Sequence, residues 1–275
     1  MAPFLAYEDK GPAFSRQPLV PPAPLVLVHG HPFDRTMWAP QLETFAATRR
    51  VIAPDLRGYG ASPAVPALTD FSGFARDIGA LLDELGVDSF VLAGLSMGGQ
   101  IVLDCYRLFP ERVRGLVLAD TTAAPETSEG VRTRDAMADR LLAEGLRGYA
   151  DEVLERMVAP YASADVKAHV HAMMTATSPE GAAAALRARA RRPDHRPLLP
   201  RVHVPALVVV GADDTFTPVT EARALHAALP DAALHIVEGA AHLPNLERPE
   251  DFDRALGAFL ARVDERQPSA APPRP

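Results

Sequence analysis

With 275 residues, 48% of them hydrophobic and 23% charged, the chain has enough length for one substantial α/β core with room for an insertion, rather than two independent domains. A net charge of −7 without a polybasic tract argues against nucleic acid or an anionic membrane as partner, and a single cysteine, Cys105, excludes an internal disulfide framework and fits a reducing compartment. The first residues lack a basic stretch leading into an apolar signal core, and no apolar run reaches the roughly 20 residues of a membrane helix, so a cytoplasmic location is expected by default.

Residues 1–24 are expected to hold a leading β segment followed by proline-rich spacing. Short apolar runs then recur at Leu25-Val26-Leu27-Val28, Val51-Ile52-Ala53, Phe90-Val91-Leu92-Ala93, Leu116-Val117-Leu118-Ala119, Leu207-Val208-Val209-Val210 and Leu234-His235-Ile236-Val237. They are rich in branched residues and mostly do not alternate with polar ones, which predicts strands covered on both faces and hence a parallel sheet. Helical patterns separate them. Phe71, Phe74, Ile78, Leu81, Leu82 and Leu85 share one face, with Thr69 or Asp70 as N-cap and Gly86 as the stop. Between the strand Ser89–Ala93 and a buried helix over Gln100–Phe109 lies Gly94-Leu95-Ser96-Met97-Gly98. Cys105 falls on that helix as a small buried hydrophobe.

From Thr121 to Pro205 no strand is expected. Glu129–Glu144, Arg147–Val158, Asp165–Ala176 and Ser178–Arg191 read as four helices, the last opened by Ser178-Pro179-Glu180. The segment reads as a helical lid inserted between two sheet strands. Trp38, Met157, Tyr161 and Met174 are the candidate walls of a substrate cavity, with ordinary packing as the alternative. Arg187, Arg189, Arg191, Arg192, Arg196 and Arg201 cluster at the lid's end and read first as solvated helix surface, second as attraction for an anionic substrate. Phe252, Leu256, Phe259 and Leu260 mark a last amphipathic helix with Pro249 in its first turn, and residues 266–275 read as a disordered tail. The expected architecture is α/β, a doubly wound mostly parallel sheet from residues 1–120 and 206–265 with the helical lid at 121–205.

A serine framed by small residues at a strand-to-helix turn is the arrangement that presents a nucleophile, because glycines 94 and 98 allow backbones to approach where side chains would collide. A neutral hydroxyl also needs a base and a group to orient that base. Both follow in the loops after the last two strand candidates: Asp213 and Asp214 after Val210, and His242 after Val237. Loops at the carboxyl ends of parallel strands converge on one crevice.

Four segments, in order, give the chain a resemblance to the α/β-hydrolase superfamily over nearly its whole length. His29-Gly30-His31-Pro32 resembles the H-G-x-P oxyanion loop, Asp55-Leu56-Arg57-Gly58-Tyr59-Gly60-Ala61-Ser62 the D-x-R-G-x-G-x-S loop, Gly94–Gly98 the nucleophile elbow, and Gly211–Pro218 the G-x-x-D-x-x-T-P acid loop. The resemblance implies Ser96 as nucleophile, His242 as base and Asp214 as the acid. Asp213 becomes a loop-capping neighbour, and Asp120 a less favoured substitute acid that otherwise sits in a surface turn. It further implies the backbone N–H groups of Met97 and His31 as oxyanion donors, with Phe33 the next choice for the second. His29 is then expected to order the oxyanion loop. His169 and His171 diverge on a helix, and neither a metal nor a cofactor is called for.

Serine at the elbow separates the chain from the haloalkane-dehalogenase and epoxide-hydrolase branches, which carry aspartate there. The segments around His29, Ser96 and His242 are similar to 3-oxoadipate enol-lactonase-like hydrolases and to carboxyl and aryl esterases. They imply an enzyme that cleaves a small ester or lactone through an acyl-enzyme on Ser96. Cofactor-free haloperoxidase or perhydrolase chemistry, and C–C bond hydrolysis, run on the same triad. A non-hydrolytic binding or biosynthetic role on the same fold is the alternative of another class.

Overall fold

In the computed structural model, which describes residues 4–12, 21–64, 68 and 70–266, the extended segments are β1 (Tyr7–Lys10), β2 (Leu25–Val28), β3 (Val51–Pro54), β4 (Phe90–Leu95), β5 (Val113–Ala119), β6 (Ala206–Gly211) and β7 (Ala232–Val237). They form one sheet in the order β1-β3-β2-β4-β5-β6-β7. All neighbours are parallel except β1, which runs antiparallel to β3 at the edge. The fold is therefore the mostly parallel α/β sheet. β5 begins three residues ahead of the apolar run at Leu116, because Val113 finds a partner in Phe90 of β4; pairing, not hydrophobicity alone, sets where a strand starts.

The helices in chain order are α1 (Ala39–Ala46), α2 (Ser72–Glu84), α3 (Met97–Leu108), α4 (Ser128–Glu144), α5 (Arg147–Met157), α6 (Ala164–Ala176), α7 (Pro179–Ala190), α8 (Val219–Ala228), α9 (Pro244–Glu247) and α10 (Pro249–Glu265). Successive strand residues point to opposite faces, and the core divides accordingly. Val26, Ile52, Leu92, Leu116 and Val208 pack with Phe74 and Ile78 of α2, Ile101 of α3 and Leu225 of α8. Leu27, Ala53, Val91, Val117 and Val209 pack with Leu42 of α1 and Phe252, Leu256 and Phe259 of α10.

Helices α4–α7 occupy the stretch between β5 and β6. Thr127, Ser163 and Ser178 cap α4, α6 and α7 by accepting the amides of Gly130, Val166 and Gly181, each cap contributing about 1 kcal/mol. A small core of Ala138, Leu141, Ala182 and Leu186 joins α4 to α7, while Met157, Met173 and Met174 join the α1–α10 layer. The expected cap of α2 is displaced: Phe71 holds the N-cap position, and Asp70 just before it accepts the Gly73 amide at 2.9 Å. Gly86 follows that helix with φ +62°. Thr69 and nearly all of the expected tail lie outside the described residues. No helix among the described residues is long and apolar enough to cross a membrane.

Inside α3, Cys105 is fully buried and burial pushes its thiol pKa well up, so packing is its role. Asp104 beside it receives His195 Nε2 at 3.1 Å and Arg107 Nε at 2.7 Å. Burial alone would raise this carboxyl; bonds from His195, Arg107 and Ser72 outweigh it and bring its pKa down to about 2. A carboxyl depressed on folding contributes stability that is complete above its unfolded pKa and disappears as pH falls through its folded one. Urea unfolding should therefore show the wild type losing more stability than Asp104→Asn between about pH 4 and pH 2; parallel curves would disprove the linkage.

Candidate active site

Ser96 stands at the junction of β4 and α3 with φ 57° and ψ −116°, a left-handed backbone that is strained for any residue but glycine. Its amide donates to the Ala119 carbonyl at 2.9 Å, and the Thr121 hydroxyl donates to its carbonyl at 2.6 Å. Two glycines make the turn sterically possible. A Cβ on Gly98 would lie 2.1 Å from the Val28 carbonyl oxygen, and one on Gly94 2.3 Å from that of Gly98.

The acid loop follows β6 and the histidine loop follows β7, so both open at the same edge of the sheet as the elbow. His242 Nδ1 lies 2.8 Å from Asp214 Oδ2. With Nδ1–H donating to that carboxylate, Nε2 keeps a lone pair for accepting a proton. Asp214 Oδ1 accepts the amides of Phe216 and Thr217 at 2.8 and 3.2 Å, and the Thr217 hydroxyl donates to Oδ2. Burial works to raise the Asp214 pKa, but the histidine and these bonds outweigh it and hold the carboxyl below its ordinary value. Ser96 and His242 line one cavity of about 150 Å³. Among the described residues no hydrogen bond joins them; Ser96 Oγ and His242 Nε2 both lack a protein partner.

Asp213 lies at the surface side of the acid loop and accepts the Tyr161 hydroxyl. Asp120 is not in a surface turn. It is buried at the end of β5 with φ 45°, accepts the Gly211 amide on Oδ1 at 2.9 Å and has no partner for Oδ2. One of its carboxylate oxygens, an Asp214 oxygen and a His242 nitrogen lie within 4.8 Å of one another. Burial, then the Asp214 charge, pushes the Asp120 carboxyl well up, whereas Asp214 is held below its ordinary value, so of the two Asp214 holds its charge more readily. These three groups are close enough to share a cation, but both Asp214 oxygens are already committed to Phe216, Thr217 and His242. Asp120→Asn keeps shape and neutrality. Its kcat in an ester assay is expected within about tenfold of wild type, against about ten-thousand-fold loss for Asp214→Asn; the reverse order would make Asp120 the acid.

Met97 is the first residue of α3, where an amide has no intrahelical acceptor. Neither its N–H nor that of His31 bonds another described residue, whereas the Phe33 N–H donates to Gly30 at 3.1 Å and is removed as a donor. His29 donates from Nδ1 to the Gly30 carbonyl at 2.8 Å and accepts the Leu56 amide on Nε2 at 2.9 Å. It ties the loop after β2 to the loop after β3. His169 and His171 point apart, to Thr36 and Asp151.

Of the expected cavity walls, Met157 lines the space and three residues do not. Trp38 is buried against Phe252, Met174 packs in the α1–α10 layer, and Tyr161 is 58% exposed. The other walls include Arg134, Tyr149, Leu186, Arg189 and Phe216. The arginine cluster also divides. Arg187, Arg191 and Arg196 pair outside with Asp139, Asp135 and Asp194, whereas Arg189 faces the cavity. Glu247 braces the histidine loop: its Oε1 accepts the amides of Ala241 and Leu243 on either side of His242, and its Oε2 that of Ala159 beyond α5. Only its place five residues after the histidine could have suggested this.

A model of the alpha/beta hydrolase family matches residues 25–255. A 3-oxoadipate enol-lactonase of Acinetobacter baylyi is 32% identical over 83% of this chain and 85% of its own. A pimeloyl-[acyl-carrier protein] methyl ester esterase of Chromobacterium violaceum is 32% identical over 86% and 93%. Among solved structures, a thermophilic esterase of Thermogutta terrifontis with malate bound is 36% identical over 94% of each chain, with a TM-score of 0.89.

Proposed function

The chain belongs to the alpha/beta hydrolase family and is an ester or lactone hydrolase, and from that premise we propose that it works through an acyl-enzyme on Ser96. The carrying observation is that Ser96 and His242 line one cavity while Asp214 holds the far nitrogen of His242.

In this reading His242 Nε2 takes the Ser96 proton as Oγ attacks the substrate carbonyl. Asp214 keeps the proton of Nδ1 in place and stabilises the imidazolium that forms. The resulting oxyanion is received by the N–H groups of Met97 and His31, each donor contributing about 3 kcal/mol to the barrier reduction. His242 then protonates the leaving alcohol and activates a water that returns the serine. Residues 121–205 act as a cap over this centre, with 1–120 and 206–265 as the catalytic core. Arg134, Tyr149, Met157, Leu186 and Arg189 reach the cavity from the cap, where they exclude water and select the substrate. The strained Ser96 backbone favours catalysis over a binding-only role, because a receptor gains nothing from holding a serine at positive φ.

A serine-directed fluorophosphonate tests the assignment. The expected result is a single adduct on the peptide that contains Ser96, with loss of p-nitrophenyl acetate hydrolysis in proportion to labelling. An unlabelled protein, or an adduct on another residue with activity intact, would reject the acyl-enzyme on Ser96.

A further inference from the structure

The catalytic cavity holds more positive charge than its own walls neutralise. Arg189 of α7 donates from Nε to Gln100 Oε1 at 2.9 Å, and neither of its Nη groups finds an acceptor among the described residues. Its neighbours behave otherwise: Arg187 and Arg191 have aspartate partners, and Arg192 pairs with Glu126. Arg134 of α4, the second arginine of the cavity wall, also pairs with Glu126. Two guanidinium groups thus share the Glu126 carboxylate, which Arg189 does not bond. Burial, then the charges of Arg134 and Arg192, weakens the hold of Arg189 on its proton. A guanidinium stays charged nonetheless, and among the described residues no carboxylate bonds it directly; Glu126 acts on it only at longer range.

The support for Arg189 places its head near the reacting centre. Gln100 is 1% exposed and stands in the first turn of α3, where its amide donates to the Ser96 carbonyl at 3.3 Å. The guanidinium that it holds lines the same cavity as Ser96, with its two Nη groups free for a planar anion. A cavity of about 150 Å³ has room for about five waters, which suits a short acid chain.

We propose that Arg189, steadied by Gln100 and flanked by Arg134, is an anion subsite of this cavity, and that the substrate is a small ester or lactone bearing a carboxylate a few bonds from the carbonyl under attack. The proposal rests on the Ser96 reading.

Monomethyl succinate and methyl butyrate differ chiefly by that carboxylate, and a pH-stat follows both. The wild type is expected to favour the succinate half-ester in kcat/KM by at least about tenfold, a preference that shrinks as salt rises. Arg189→Met should lower kcat/KM for the half-ester about 50-fold, in the range of a lost charged hydrogen bond, and lower that for methyl butyrate by a clearly smaller factor, so that the preference between the two esters collapses. Arg189→Lys should restore part of the difference. On the wild type alone, free succinate should inhibit p-nitrophenyl acetate hydrolysis competitively and butyramide should not, an arm that does not depend on any variant folding. Equal use of the two esters, equal losses for both in Arg189→Met, or no inhibition by succinate overturns the subsite. If the fluorophosphonate still labels Ser96 in that case, only the anion subsite is lost; if it does not, the parent reading falls with it.

Discussion

Ser96→Ala is expected to lower kcat for p-nitrophenyl acetate by about a million-fold, and His242→Ala by a similar factor, with the double variant no slower than either single one. The reason is that in the proposed mechanism the two groups perform one event. Without the imidazole the hydroxyl keeps its proton, and without the hydroxyl the imidazole has nothing to activate, so the second deletion removes nothing that the first had left. Background turnover should persist through the Met97 and His31 amides, whose placement does not depend on either side chain. Single-turnover kinetics on the three variants, beside thermal melts that confirm an unchanged fold, would check this. Losses that multiply in the double variant would mean that the residues act independently, and a single variant retaining a tenth of the activity would remove it from the mechanism. Ser96→Ala should also not weaken the fold, since alanine at φ 57° carries the same backbone strain as the serine it replaces.

Gly98→Ala is expected to destabilise the protein by about 3 kcal/mol or more. Its Cβ would be forced to within 2.1 Å of the Val28 carbonyl oxygen and 2.8 Å of that of His29. Both oxygens belong to backbone that β2 and the following loop hold in place, so relief has to come from moving α3 away from the sheet. That displacement carries Ser96 and the Met97 amide out of position, and activity should fall even in the fraction that folds. Gly86→Ala is the control. With φ +62° and nothing within 4 Å of its would-be Cβ, it meets only the backbone penalty of roughly 1 kcal/mol. Urea titrations of both variants would compare them; equal losses would show that backbone conformation and not the close approach makes Gly98 necessary.

The strands were legible because burial on both faces writes itself as an unbroken apolar run, and β2, β4 and β6 coincide with such runs almost residue for residue. β1, Tyr7–Lys10, carries three charged or polar neighbours, and its place is set by pairing with β3. Helix starts were readable where a side chain marks them, as at Ser178. They were not at α2, whose N-cap Phe71 offers no acceptor. The elbow was legible because its chemistry is local: a turn that tight excludes side chains, and the two glycines record that exclusion.

Arg189 was hidden by its own helix. The buried positions of α7 include Ala182, Ala183, Ala185, Leu186, Ala188 and Ala190, a spread too wide to mark a polar face, so the inward arginine looks the same as Arg187 and Arg191. Which of them turns inward depends on Gln100 of α3 and on α4, neither adjacent in the chain. Asp120 was obscure for a similar reason, since an aspartate after a strand reads as a turn until β6 and the acid loop are packed over it.

By itself the amino-acid order determined most strand segments, the tight turn and the types of group that can carry the reaction, since each depends on neighbours within a few residues. Only the tertiary structure decided which carboxyl is buried without a partner for one oxygen, which amides are left unbonded beside the elbow and which guanidinium faces the cavity. Those choices follow from burial and from the distance between groups far apart along the chain, and a buried charge responds to every group within a few ångströms, whatever its place in the sequence.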